Sequence, residues 1–412
     1  MTLRTAPIPA RLCWLAAALA AIFWALASLR HGLLQSNSFD LGLFDQWAWL
    51  LSRGLEPVSS QSRDLHLLND HGAWMFYALA PLYRLVASVQ WLLALQAISH
   101  TFTALPLWML AAAAGLGARQ RWCVCLLWWL QPVVFNSNLF DFHPEVLAMP
   151  LLAWLWLAGR RGQTWLWCLL LLLVLGWRDG LVLVTLGMAF EQLLRRRWKL
   201  AGWAVALSLG WIWLLTQWIQ PPLLARHPGL NAGASRYSYL GDSLAEIAGN
   251  LLLEPWRLLQ HVNGPGVAEY LLLISLPLLP FWRRASLRTL VAGIPLVVVN
   301  SLSESAAQRS LVHHYSLPLA LIGVVAAIDG LASQPQATPS WRRLAWAAPR
   351  LGGGLLGGIG QTLVFQWSLS RSPPPASRQP GRDPPDHPCR PSGDHQLSGP
   401  PSEPAADAAV SL

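Results

Sequence analysis

The sequence predicts an all-α protein: a polytopic bundle of about 10 to 11 transmembrane helices, with interfacial helices in its first outer loop. Three observations predict it. Of 412 residues, 54% are hydrophobic and 12% charged, about half the roughly 25% charged share of a soluble domain. The mean hydropathy is +0.38 and there are 25 tryptophans, more apolar surface than a water-soluble globule can hide. Apolar runs near the length that crosses a hydrocarbon core, about 20 residues, recur along the chain. Together these exclude an ordinary cytosolic enzyme.

Taken in order, the runs are 12–29, 89–115, 121–137, 144–159, 162–177, 180–194, 200–219, 266–282, 286–302 and 315–333. The first follows Arg4 and Arg11 and reads as a retained signal anchor, because many more spans come after it. Short loops rich in Lys and Arg stay on the cytoplasmic side. With the N-terminus cytoplasmic, Arg119 and Arg121, Arg160 and Arg161, Arg195 to Arg197 with Lys199, Arg283, Arg284 and Arg288, and Arg342, Arg343 and Arg350 all fall inside. That alternation requires the apolar segment 72–88 to lie on the outer face as an interfacial or re-entrant helix rather than to span. Acidic residues, which did not build this topology, fall outside, with only Glu191 and Asp329 inside before the tail. The net charge of +9 therefore reports topology in a plasma (inner) membrane and not nucleic-acid binding.

An integral membrane domain is expected over 1–350, with large outer loops at 30–88 and 220–265. Residues 351–370 form a weak, glycine-rich apolar segment, and the Pro-rich composition of 371–412 predicts disorder. The break in composition there also suits a shifted reading frame. Five cysteines, an odd number mostly inside apolar runs, imply neither a disulfide framework nor a zinc site.

Candidate chemistry gathers on the outer side. In Phe39-Asp40-Leu41-Gly42-Leu43-Phe44-Asp45-Gln46-Trp47 the apolar positions have helical spacing. Asp40 and Asp45 are five residues apart, near 140° around a helix, so both reach one small group only if the helix begins between them with Gly42 allowing a turn. One of them suits a general base; otherwise Asp40 is a cap and Asp45 a solvated charge. The loop Asp141-Phe142-His143-Pro144-Glu145 enters a span with proline at the first helical position. Capping accounts for Pro144 and Asp141 but not for His143, which leaves a phosphate or sugar contact open. Trp177-Arg178-Asp179-Gly180 puts a charged pair in a turn between two spans, either functional or an arginine snorkelling beside a capping aspartate. His66, Asp70 and His71, and Glu304, His313 and His314, complete the set. A divalent cation is conceivable among them, yet no pair has a diagnostic metal spacing.

Four of these stretches carry a resemblance. Phe39 to Gln46, Asp70-His71 leading to Leu79-Ala80-Pro81-Leu82-Tyr83, Asp141 to Glu145, and His314-Tyr315 before Leu317-Pro318 resemble a family of bacterial polytopic membrane proteins, the domain-of-unknown-function family 2079. The likeness covers roughly residues 12–333. Where that family is expected to show a basic residue followed by Glu-Asp, this chain has Trp177-Arg178-Asp179. Family members also tend to have more spans, so an incomplete, inactive product is one expectation.

The family in turn resembles the C-type glycosyltransferase superfamily. That implies transfer of a sugar from a polyprenyl-phosphate donor to an acceptor on the outer face. It implies Asp40 or Asp45 as the catalytic carboxylate. His71, Asp141, His143, Glu145, Arg178, Asp179, His313 and His314 then stand as candidates for substrate or lipid-phosphate binding. The competing expectations are a transporter or lipid flippase, disfavoured by the absence of repeated halves, and a non-catalytic scaffold.

Overall fold

Helices long enough to cross a bilayer differ in what surrounds them, and that difference lays out the molecule. The computed structural model describes residues 7–229, 234–241, 244–254 and 256–334, all within one compact unit. Expectations for 351–370 and 371–412 fall outside these residues. Among those described, five helices have the length and apolarity of a span: Ala10–Gly32, Gln90–Ala113, Trp198–Arg226, Arg284–Leu302 and His314–Ala332. A sixth is counted if Ala118–Trp129 and Pro132–Phe140, bent by 41°, form one. Pro132 stands at the bend, where its missing N–H interrupts the helical ladder.

The protein is thus an all-α helical membrane protein, with fewer full-length spans than the apolar runs suggest. Hydropathy does not register where a hydrogen-bond ladder stops. The runs 144–159, 162–177 and 180–194 contain helices Ala148–Arg161, Thr164–Leu175 and Leu181–Leu194, of 14, 12 and 14 residues. At 1.5 Å per residue these reach roughly 20 Å, against a hydrocarbon core of about 30 Å. The run 266–282 likewise holds the 12-residue helix Gly264–Ser275 and then a short 3-10 turn at Leu279–Phe281.

The core sits on His314–Ala332, 83% of whose apolar window is buried, whereas the figure is 28% for Ala10–Gly32 and for Trp198–Arg226. The outer two present Trp14, Trp24, Trp203 and Trp213 outward, where lipid replaces water as solvent. Close helix approach is made by missing side chains: a Cβ on Gly187 would strike the carbonyl of Ala292, and one on Gly330 the carbonyl of Phe281.

Leu181–Leu194 starts beside Arg178 and finishes at Glu191 and Arg195, so these charges mark opposite ends of the bundle, roughly 20 Å apart. At the arginine end, Arg160 makes a bidentate pair with Asp329 at 2.8 and 2.9 Å. Arg195 reaches Glu191 at 2.8 Å and Asp329 at 2.7 Å, while the Trp156 N–H donates to the second Glu191 oxygen at 2.8 Å and the Thr289 hydroxyl lies 3.0 Å from Glu191 and 2.6 Å from Asp329. At the other end the first loop does not span. Segment 72–88 breaks into a 3-10 stretch, Trp74–Leu79, and a six-residue helix, Ala80–Leu85.

Candidate functional site

Asp40 enters the site from a wide π-helical turn, Ser38–Gly42, that runs into the helix Leu43–Ser52. Asn37 caps the turn by accepting from the Phe39 N–H at 2.9 Å, so Asp40 is not the cap. Gly42 has ordinary helical angles, contrary to its expected role as a turn. Its advantage is space, because the Gln61 side-chain amide lies 3.0 Å from where a Cβ would be. The two aspartates separate completely. Asp40 Oδ1 meets His143 Nε2 at 3.2 Å, and Asp45 accepts from the Tyr83 hydroxyl at 2.7 Å.

His143 is placed by a loop that leaves Pro132–Phe140 and turns into Pro144–Leu147. Buried Gln96 holds this loop: its amide N–H groups donate to the carbonyls of Ser137 and Asp141, and its carbonyl accepts from the His143 N–H at 3.1 Å. Asp141 does not cap the following helix. It pairs with Arg30 at 3.0 Å and accepts from the Asn37 N–H at 2.9 Å, tying the loop to the first helix. Burial nevertheless holds its carboxyl above the usual range, outweighing Arg30.

From His143 the contacts continue without a gap. Its ring stacks on His314 with centroids 3.6 Å apart, and Phe140 packs between His143 and His313. His314 Nε2 lies 2.9 Å from Glu145 Oε1 and 3.0 Å from Arg178 Nη1. One nitrogen cannot donate to the carboxylate and accept from the guanidinium at once, so His314 has two tautomers of near-equal fit. Arg178 pairs with Glu145, 33 residues away, rather than with its neighbour Asp179. The Asp179 side chain accepts from the Gly180 N–H at 2.6 Å, and its backbone N–H donates to the His71 carbonyl at 2.9 Å. Burial holds the Asp179 carboxyl above its ordinary value in spite of Arg178.

The set therefore joins Asp40, His143, Glu145, Arg178 and His314 by direct contact, with His313 attached through the Phe140 ring. His71 belongs to the margin: it pairs with Asp70 at 2.8 Å, and Phe44 stands between its ring and that of His143. Asp45 lies apart on Tyr83. Burial raises the Asp40 carboxyl, but its hydrogen bond with His143 and the nearby histidines outweigh this and leave it below its ordinary value. Burial brings His313 down to about 4. Three buried polar atoms of this set have no hydrogen-bond partner: Glu145 Oε2, His313 Nδ1 and His314 Nδ1.

Beside the chain of contacts lies a cavity of about 100 Å³. One wall is polar, with Glu145, Arg178, His314, Tyr315, Asn300 and Gln308; the other is Leu181, Leu183, Val184, Leu296, Val299 and Pro318. Asp40 does not line it, and stands on the far side of the His143–His314 stack. Among the described residues, no group of three His, Cys, Asp or Glu side chains is arranged to hold a metal ion.

Sequence reading missed Arg30, Gln96 and Arg236, the last lying 5.2 Å over the Tyr315 ring whose neighbour Arg178 lies at 5.6 Å. For Arg30 and Arg236 a signal existed. Both sit at the end of the bundle where the positive-inside pattern has few cations, so each invites the question of which group it serves there.

No match is found among curated proteins or solved structures. The family model described as "Predicted membrane protein (DUF2079)" matches residues 30–352, most of the chain and every residue of the site just described. The chain belongs to the DUF2079 family of membrane proteins.

Proposed function

We propose that this protein transfers a sugar from a polyprenyl-phosphate donor to a hydroxyl acceptor at the outer face of the plasma membrane. One observation carries the reading. A partly exposed carboxylate, histidines with unused nitrogens and a similarly half-buried arginine form one contiguous set, beside a cavity polar on one wall and apolar on the other. Asp40 takes the proton of the acceptor hydroxyl as its oxygen bonds to the sugar carbon. The bond from that carbon to the phosphate oxygen breaks, and the phosphate leaves with the electron pair. Arg178 and the Nδ1–H tautomer of His314 would meet the charge on the departing phosphate. The apolar wall suits the lipid chain. Asp45, held by Tyr83, is a positioning residue that fixes the helix following Asp40.

A transporter or flippase has no comparable support. Among the described residues the charged networks gather at the two ends of the bundle, whereas transport sites usually lie at the bilayer midplane.

The test is turnover of a panel of polyprenyl-phosphate sugars by the purified full chain. Asp40→Asn is expected to lower turnover by about 100-fold or more, the usual worth of a general base. Unchanged turnover in that variant, at equal folded protein, would overturn the reading.

A further inference from the structure

The opposite end of the bundle holds a second cavity, of about 210 Å³, far above the roughly 10–15 Å³ that one water requires. Arg160, Arg197 and Asp329 line it, against an apolar wall that includes Ala113, Val325 and Ile328.

Its charge balance is uneven. Among the described residues, Glu191 and Asp329 are the carboxylates in this network, and Arg160 and Arg195 engage both. All four carboxylate oxygens are used, because Trp156 and Thr289 take part as well. Arg197 is the third guanidinium. It donates to the main-chain carbonyls of Gly159 and Arg160, which supply dipoles but no counter-charge. Arg160 Nε is buried and has no hydrogen-bond partner. Three cations thus face two anions at the edge of a cavity with room to spare. Burial and the charges of Arg160 and Arg195 push the Arg197 guanidinium below its usual range, as excess positive charge in a low-dielectric place must.

We propose that this cavity is an anion site for a phosphate group, which would supply the missing negative charge against Arg197 and Arg160. The bidentate Arg160 pair already neutralises Asp329, so this carboxylate does not bar the anion. A phosphate monoanion or the phosphodiester of an anionic lipid offers the same recognition chemistry. The apolar wall would favour the lipid by accepting part of its chain. This inference is independent of the transfer reaction, since it uses none of the residues around Asp40.

The experiment follows the thermal unfolding of the full chain in a neutral detergent, titrated with dioleoylphosphatidylglycerol, with dioleoylphosphatidylcholine, and with inorganic phosphate. Stabilisation by phosphatidylglycerol and not by phosphatidylcholine is expected. A matching response to inorganic phosphate identifies a free-phosphate site; its absence identifies the lipid. Arg197→Gln is expected to weaken the apparent affinity about tenfold, the loss of one charge-assisted contact. Lys199→Gln, which removes an equal charge from an exposed position, should leave it unchanged. Ala113→Leu fills the cavity without altering charge and should abolish the response, so the proposal stays testable if Arg197→Gln does not fold. Equal losses in Lys199→Gln and Arg197→Gln, an unaffected Ala113→Leu, or no stabilisation by either phosphate compound would each overturn it.

Discussion

The two ends of the bundle both bury arginines against carboxylates, yet they are built to different standards. At the arginine end every oxygen of Glu191 and Asp329 has a partner. At the other end Glu145 pairs through one oxygen and leaves the second without a partner, as do the Nδ1 atoms of His313 and His314. A saturated network of carboxylates ties helices together, and its removal leaves uncompensated charge. An unsaturated one keeps donors and acceptors in reserve for something that arrives later. Buried unpaired polar atoms cost about 1–3 kcal/mol each; at the Glu145 end that cost falls on a carboxylate oxygen and two histidine nitrogens, whereas at the arginine end the carboxylates are saturated and the unpartnered atoms include Arg160 Nε. Histidines divide the same way among the described residues, with His143, His313 and His314 at one end, while the partners of Glu191 are Arg160, Arg195, Thr289 and Trp156.

The sharpest way to break this comparison is Glu191→Ala. It removes the partner of two guanidiniums, Thr289 and Trp156, and the loss is expected to cost about 3–5 kcal/mol, seen as a large fall in the unfolding temperature or in folded yield. Asp40→Asn should do the reverse, keeping the fold within about 1 kcal/mol because Asp40 is partly exposed and polar in the variant, while turnover falls about 100-fold. A folded, stable Glu191→Ala beside an unfolded Asp40→Asn would invert the assignment of the two ends.

Acidification is the next lever. Burial brings His313 and His66 to about 4, against 6.5 in the unfolded chain. Between those values the unfolded state binds the protons and the folded state does not. The stability contributed by the neutral histidines is therefore complete above 6.5 and is lost as the pH falls from 6.5 toward 4. The slope is at most about 1.4 kcal/mol per pH unit for each histidine. Asp40, whose carboxyl lies below its ordinary value, adds a loss only at still lower pH and stays ionised through this range. Unfolding temperatures from pH 7.5 to 5 check this. His66→Asn, which can still cap the Leu68 N–H that His66 now serves at 3.1 Å, should flatten the slope along with His313→Asn.

Much of this site was legible because its members lie in short stretches whose composition is unusual for their surroundings. A histidine between aspartate and glutamate at 141–145, or Arg178 in the turn between two leucine-rich runs, stands out locally. What joins them did not. Gln96 lies inside an apolar helix, and its role depends on a loop more than 40 residues away. Glu145 meets Arg178 across 33 residues and His314 across still more. Span lengths are hidden for the same reason in reverse. Leucine continues through places where a helix stops, as in the run 266–282, where the helix Gly264–Ser275 ends while Leu276, Leu278 and Leu279 carry the apolar character on.

The smallest effect tests the division within the first loop. Asp40 and Asp45 look equivalent in sequence, and only their partners distinguish them: His143 for one, Tyr83 for the other. Tyr83→Phe removes the donor to Asp45 and leaves the ring in its buried place. The net loss of one hydrogen bond is about 1 kcal/mol, and since Asp45 keeps contact with solvent, water can replace the lost donor. Turnover is expected to stay within about threefold of the parent, with the unfolding temperature slightly lower. If instead the change reproduces the roughly 100-fold loss expected for Asp40→Asn, then Asp45 is the base, Tyr83 its partner, and the His143 pair of Asp40 serves to hold the loop.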